Sequence, residues 1–331
     1  MAAQPHPSAL EIVDLPKVAP GGLDELLAEE TQVWLHRLNW DFNGSAELVR
    51  RFANTHSLNG KALLFRGNVV GYSYFIAEEG KGLLGDLYVM KQFSTPELEN
   101  QLLSASVEEL IRNWNCARVE CQLILTGSTL PHVAAFGKLP AVFERNFMML
   151  LESCFSLSPR QPKDLYIIEP FGDHMQEDAS RLIAESYAGH VDATINDQYR
   201  SVAGARRFLR NIIQYPGCGS FSYGASFVAR DRGSNRAIGL SLASSISTEA
   251  GHITQLCISP KLRGTGLGYE LLRRSIKGLS EIGARQISLT VTSKNKLAVN
   301  LYERLGFRTM HCFPAMVWEK KSATAFGFFR S

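Results

Sequence analysis

The chain has 331 residues, 45% of them apolar and 20% charged, with a formal net charge of +3. These are ordinary globular values with room for about two domains, and they exclude disordered, collagen-like and coiled-coil classes. No apolar run approaches the ~18–20 residues that span a bilayer. The first ten residues carry no secretory leader, and no block of five like charges marks a nucleic-acid arm. Six scattered cysteines without a CxxC pair, Cys116, Cys121, Cys154, Cys218, Cys257 and Cys312, point to reduced thiols and to no metal site. A cytoplasmic protein with neither membrane nor nucleic-acid partners is expected.

In chain order, helical periodicity predicts helices over Leu23–Leu38 and Ala46–Ala53. A β-hairpin turning at Arg66-Gly-Asn68 follows. A third strand leads into a helix over Thr95–Asn113, and a strand over Ala117–Leu125 comes next. The polar segment Ser156–Lys163 carries Pro159 and Pro162 and reads as a linker. After a strand at Leu165–Ile168 the same order begins again. Helices fall at Glu177–Ala188 and Ala203–Ile213, a hairpin turns at Arg232-Gly-Ser-Asn235, and a strand runs into a helix over Gly264–Ile282. A strand at Gln286–Thr292, a helix at Leu297–Leu305 and a last strand complete it.

Landmarks repeat at nearly constant offset, which signals a domain duplication. Gly71 in Val-Val-Gly-Tyr-Ser matches Gly239 in Ala-Ile-Gly-Leu-Ser, 168 residues on, and Leu87-Tyr-Val89 matches Leu256-Cys-Ile258, 169 on. Phe147–Glu152 matches Pro314–Glu319, an offset of 167. We therefore expect an α/β (α+β) protein of two domains, 1–162 and 163–331, each a mixed, mostly antiparallel sheet flanked by helices. The halves differ in charge, −5 for 1–162 and +8 for 163–331, so an anionic ligand favours the second.

The second half also holds the informative motif. An apolar strand, Ile253–Ile258, runs into Arg263-Gly-Thr-Gly-Leu-Gly268, which opens a helix. A glycine-rich turn at a helix start presents unpaired N–H groups and a positive dipole end to an anion, and Arg263 adds a guanidinium fork. A dinucleotide-binding fingerprint would need an acidic residue ~20 positions on, and a Walker loop would need Gly-Lys-Ser/Thr; neither is present. Downstream stands Asn295-x-x-Ala-x-x-Leu-Tyr-x-x-x-Gly-Phe307. With these two motifs, residues 225–320 resemble the GNAT N-acetyltransferase superfamily, and a looser resemblance extends over 164–320. The duplication then makes a tandem-GNAT arrangement.

The resemblance implies acetyl-CoA as cosubstrate and no metal. It implies that Arg263, Gly264, Thr265, Gly266, Leu267 and Gly268 hold the pyrophosphate. It further implies that Leu256, Cys257 and Ile258 pair with the pantetheine arm, that Asn295 lies near that arm, and that Tyr302 protonates the leaving thiolate. Many relatives carry a glutamate on the strand before Asn295, where this chain has Thr290. Glu249 and His252 are candidate substitutes for the missing base. Acceptor specificity is assigned by the resemblance to the segment Tyr187–Tyr199, in which Asp192 and Asp197 can bind a cationic amine and His190 and Tyr199 can line a pocket.

The first half is expected to be a degenerate copy that does not bind acetyl-CoA productively. Ser94, Glu97 and Glu99 fall opposite Arg263, Gly266 and Gly268, and Phe136 falls opposite Tyr302. The expected function is direct transfer of acetyl to a primary amine, a small molecule in preference to a protein or peptide N-terminus. A non-catalytic acetyl-CoA-binding regulator is the alternative of another class. A monomer or homodimer is expected.

Overall fold

The computed structural model describes residues 10–126, 133–159, 165–215, 217 and 219–320. Pro162, with the second half of the expected linker, and Cys218 lie outside them. Strand β1 (Leu10–Asp14) precedes helices α1 (Asp24–Leu38) and α2 (Asn43–Asn54). Strands β2 (Gly60–Phe65), β3 (Asn68–Glu78) and β4 (Lys81–Val89), helix α3 (Pro96–Arg112), and strands β5 (Arg118–Gln122) and β6 (Ala141–Leu151) complete the first half. The second half repeats this order. It comprises β7 (Tyr166–Pro170), α4 (Gln176–Ser186), a short α5 (Val191–Ile195), α6 (Val202–Gln214), β8 (Ser220–Phe221), β9 (Phe227–Asp231), β10 (Ala237–Ser245), β11 (Ala250–Ile258), α7 (Leu267–Glu281), β12 (Gln286–Thr292), α8 (Lys296–Arg304) and β13 (Arg308–Glu319).

All strands join one 13-stranded sheet, in the order β1-β2-β3-β4-β5-β13-β6-β12-β11-β10-β9-β7, with β8 beside β10. Within each half the pairing is antiparallel except for one parallel pair, β4–β5 in the first and β11–β12 in the second. Both pairs cross over through a helix, α3 or α7, as a parallel connection requires.

The last strand of each half crosses to the other. β6 pairs with β12 from Gln286↔Leu151 to Thr292↔Arg145, and β13 pairs with β5 from Ala315↔Gln122 to Glu319↔Arg118. The two exchanged strands then pair with each other, antiparallel, with Cys312 opposite Asn146 and Phe313 opposite Arg145. With the 167-residue offset, Cys312 is the counterpart of Arg145 and Phe313 of Asn146. The contact is therefore nearly symmetric, as at a two-fold dimer interface. The division at 162 separates two sequence copies, but each copy's sheet is completed by a strand of the other.

The period-2 alternation of β6 explains how it serves both sides. Met148 and Leu150 pack into the core beneath α7 and α8 with Ile287, Leu289 and Phe307. Phe147 and Met149 turn the other way, into the first half's core with Trp40 and Trp34. The Trp40 ring stands edge-on to Phe147 at 6.2 Å and to His252 at 5.1 Å.

Candidate active site

β11 and β12 run paired from Ala250↔Gln286 to Ile253↔Leu289 and then part. β11 stays paired with β10 up to Ile258, across an irregularity between Leu242 and Ala243. β12 stays paired with β6 up to Thr292. Thr254–Ile258 thus present a strand edge to a gap, with Thr290–Thr292 on its far side. The Thr254 hydroxyl is buried at the parting point without a hydrogen-bond partner among the described residues. An extended ligand that adds a strand satisfies such an edge.

At the end of β11 the chain turns through Gly264 (φ +77°) and Gly266 (φ +91°) into α7. These left-handed angles are why glycine stands at both positions. Among the described residues, no backbone carbonyl accepts from the N–H groups of Gly264, Gly266, Leu267 or Gly268. The Thr265 hydroxyl donates to the Leu262 carbonyl at 2.8 Å and tightens the turn. Arg263 is exposed, and its Nη2 donates to the Ser186 carbonyl at 2.6 Å, tying the loop to the end of α4. The result is an open anion cradle with a cation beside it. These residues fit a pyrophosphate, and the gap behind them fits an extended amide-bearing arm. Leu256 and Ile258 are half-buried and pack toward α7, whereas the Cys257 thiol is buried on the other face and pushed up to about 12 by desolvation.

Tyr302 and Asn295 come from α8. Asn295 is its N-cap, its side chain accepting from the Ala298 N–H at 3.3 Å. Tyr302 is buried against Phe307, ring centroids 5.8 Å apart, and makes no hydrogen bond among the described residues. Burial first, and the Asp192 charge second, raise its hydroxyl above the ordinary tyrosine value, while the Arg145 charge opposes them. Tyr302 therefore approaches from the α7–α8 face a region that Asp192 and Arg145 approach from the other.

That second face is built from the acceptor segment and the exchanged strand. His190 caps α5, its Nδ1 accepting the Asp192 N–H at 3.2 Å. The Asp192 carboxylate accepts a hydrogen bond from the Thr292 hydroxyl and lies 3.9 Å from Arg145 Nη1. Arg145 Nη2 donates to the Thr290 hydroxyl at 3.1 Å. Tyr199 stacks on Tyr187 at 4.4 Å. The Tyr199 hydroxyl donates to Gln255 Oε1 at 3.2 Å, and Gln255 Nε2 donates to the Tyr187 hydroxyl at 2.7 Å. Arg145 and Gln255 carry no sequence signal for this role. Arg145 enters only because β6 crosses between halves, 145 residues from Thr290.

Three expected residues are placed elsewhere. Glu249 is exposed, 3.8 Å from Arg285, and stands about 13 Å before the parting point at ~3.3 Å per residue. His252 is fully buried, its Nδ1 2.9 Å from the Ser288 hydroxyl, and desolvation holds its ring down at about 3, so it stays neutral. Asp197 pairs with Lys81, and its N–H donates to Glu120 Oε1 at 3.0 Å. It belongs to a network between halves rather than to a free pocket. In the same network Lys81 pairs with Glu120 at 2.8 Å, Arg118 pairs with Glu120 at 2.6 Å, and Arg118 Nη2 donates to the Thr194 carbonyl at 2.6 Å.

The corresponding region of the first half is closed. The start of α3 is capped by Thr95, which accepts from the Leu98 N–H at 3.3 Å, and Pro96 removes another donor. Ser94 donates to Glu99 at 2.6 Å, and Glu97 and Glu99 place negative charge where a phosphate would lie. Beside β4 a cavity of about 10 Å³, lined by Leu87, Glu99, Leu103 and Leu123, has room for one water. Phe136 sits in a turn between Ala135 and Lys138, not on a helix. Opposite Gln255, at the 169-residue offset, is Asp86. It is buried against Glu30, and Glu30 in turn accepts from the Tyr72 hydroxyl at 3.0 Å. Burial raises both carboxyl groups, Asp86 to about 6.

Residues 196–307 match the model of the acetyltransferase (GNAT) family. Among curated proteins, the N-alpha-acetyltransferase MAK3 of Arabidopsis thaliana is 40% identical over 60 residues, 18% of this chain and 32% of the relative. An N-alpha-acetyltransferase of Sulfurisphaera tokodaii is 36% identical over 59 residues, 18% of this chain and 35% of the relative. The chain thus spans about a third of the length of these relatives. Among solved structures, a GCN5-related N-acetyltransferase from Sphaerobacter thermophilus superposes with a TM-score of 0.67 at 16% identity, covering 96% of this chain and 98% of the other. A tandem GNAT protein from the clavulanic acid biosynthesis pathway gives 0.59 at 13% identity, covering 95% and 99%. At these identities the structures speak for the fold alone. Residues 196–307 are thus similar to the GNAT acetyltransferase family, and the whole chain has the fold of tandem GNAT proteins.

Proposed function

We propose that the chain is an acetyl-CoA-dependent N-acetyltransferase that acts on a small primary amine, with its chemistry confined to the second half. The observation that carries this reading is the β11–β12 gap, bounded by an unpaired strand edge, by the open amides of Gly264–Gly268, and by Tyr302 and Asp192 from opposite faces. In this reading the loop amides and Arg263 hold the pyrophosphate, and the Thr254–Ile258 edge aligns the pantetheine amides. Holding both reactants in line lowers the entropic part of the barrier. An alkylamine with a pKa near 10.4 must lose a proton before it attacks. Tyr302, whose burial holds the proton on its hydroxyl, supplies a proton as the C–S bond breaks. No cluster of three metal-binding side chains is found among the described residues, and the scheme uses none.

The small acceptor is favoured by the walls of the second face. Trp40 covers His252 there, and α5 lies against Arg145 and Thr292. A second reading, acetylation of a peptide N-terminus, is favoured by the names of the curated relatives, which match 18% of the chain. The test is thiol release from acetyl-CoA by the full chain against a library of small amines and of short peptides with free N-termini. Release with small amines alone supports the first reading, and release with peptides alone supports the second. Binding of acetyl-CoA without release for any acceptor supports the regulatory alternative instead.

A further inference from the structure

We propose that Asp192 is the general base that deprotonates the acceptor amine, taking the place of the carboxylate that β12 lacks at Thr290. This deepens the acetyltransferase reading above and rests on it. Thr290 and Thr292 lie on one face of β12, two residues apart. The Thr292 hydroxyl donates to Asp192 Oδ1, so a carboxylate from α5 arrives on the strand face where the side chain of Thr290 stands. Oδ1 is held further by Arg145, which is itself fixed by Thr290. Oδ2 receives no hydrogen bond among the described residues. It lies 3.6 Å from His190 Nδ1, but that nitrogen already accepts the Asp192 N–H. One oxygen is anchored and the other keeps its lone pairs open. Asp192 also faces Tyr302, whose hydroxyl feels its charge, and Tyr187, which feels both Asp192 and Tyr302.

The ammonium N–H bond breaks and its proton passes to Asp192 Oδ2, and the nitrogen lone pair forms a bond to the acetyl carbon. The C–S bond breaks, its electron pair goes to sulfur, and the Tyr302 proton joins it as the thiol. The second nitrogen proton restores the Tyr302 hydroxyl, and Asp192 releases its own proton to water. The groups facing Asp192 that can alter this exchange are His190 on the acceptor segment, Arg145 on β6, Tyr302 on α8 and Tyr187 at the end of α4.

The experiment compares full-length wild type, Asp192→Asn and Asp192→Glu. It uses the alkylamine that gives most thiol release, charged at neutral pH, and an arylamine of similar size, neutral at the same pH. Asp192→Asn keeps the shape and an acceptor oxygen for Thr292. With the alkylamine its kcat should fall about 100-fold or more. The acetyl-CoA Kd from calorimetry should stay within about twofold. The loss should shrink to less than about tenfold with the arylamine, and Asp192→Glu should recover part of the alkylamine rate. Equal losses with both amines overturn the assignment. If Asp192→Asn does not fold, Thr292→Val reads the same question: kcat should fall at least threefold at unchanged acetyl-CoA Kd, and an unchanged kcat overturns it. Absence of turnover by wild type with every amine defeats the acetyltransferase reading and this one together.

Discussion

Cutting the chain between its two sequence copies should destroy the second copy's fold, although that copy contains both family motifs. A fragment of residues 163–331 lacks β6, which pairs along β12 from Gln286 to Thr292. It loses the packing of Met148 and Leu150, both buried in its own core against Ile287, Leu289 and Phe307. At about 1.5–3 kcal/mol per large apolar side chain the deficit is about 3–6 kcal/mol, a large part of the ~5–15 kcal/mol that stabilises a whole domain. The cut also exposes the β12 edge, an aggregation hazard, and removes Arg145 from beside Asp192. A fragment of residues 139–331 restores the strand. Circular dichroism melting and acetyl-CoA calorimetry on the full chain and both fragments give the assay. We expect 163–331 to show no cooperative transition and no binding, and 139–331 to recover part of both. A 163–331 fragment that melts cooperatively at the full-chain temperature and binds acetyl-CoA with unchanged Kd would refute the interdependence argued from the exchanged strands.

Tyr302→Phe, which deletes only the hydroxyl, should lower kcat by about 100-fold or more while the acetyl-CoA Kd stays within twofold; an unchanged kcat removes its role as acid. His252 is neutral in the folded chain with its value held near 3, against about 6.5 unfolded. Its contribution is therefore intact above pH 6.5 and is lost as pH falls, by about 2 kcal/mol at pH 5. Urea titrations of wild type and His252→Gln at pH 7 and pH 5 should show the variant losing about 2 kcal/mol less than wild type over that interval; equal losses would show that the ring takes up its proton while folded. Lys81→Met removes the ion pairs to Asp197 and Glu120 that fasten the acceptor segment to the first half. It should raise the amine KM about fivefold, equivalent to about 1 kcal/mol of coupling, without changing the acetyl-CoA KM; an equal change in both, or in neither, would sever the first half from acceptor binding.

The elements and the glycine-rich loop are legible because their signals are local. Helical spacing and capping placed α7 and α8 to within a few residues, and Gln286–Thr292 matches β12 end to end. The Arg263–Gly268 loop is a local conformational demand, visible as glycines at the two positive-φ positions. The acceptor side depends on contacts distant in sequence. Arg145 reaches Thr290 across 145 residues and Asp197 reaches Lys81 across 116. Each pair exists only because the two halves share a sheet. Composition and motif spacing do not carry that information, so in the sequence Asp197 reads as a pocket residue and Arg145 has no signal. Glu249 and His252 stand out in the sequence only by nearness along the strand to the glycine-rich motif. Strand direction puts Glu249 at the wrong end of β11, and Trp40, from the other copy, buries His252.

The charge asymmetry of the two halves has a physical counterpart at the two helix starts. In the second half the α7 amides stand open beside Arg263. In the first, the α3 start is capped by Thr95 and flanked by Glu97 and Glu99. The central claim is therefore one productive acetyl-CoA site per chain, at the second loop. Calorimetric titration of the full-length protein with acetyl-CoA tests it most directly, alongside Gly266→Glu in the second loop and Glu99→Gln in the first. One site per chain is expected, lost in Gly266→Glu and unchanged in Glu99→Gln. Two sites per chain, or binding that survives Gly266→Glu, would contradict it.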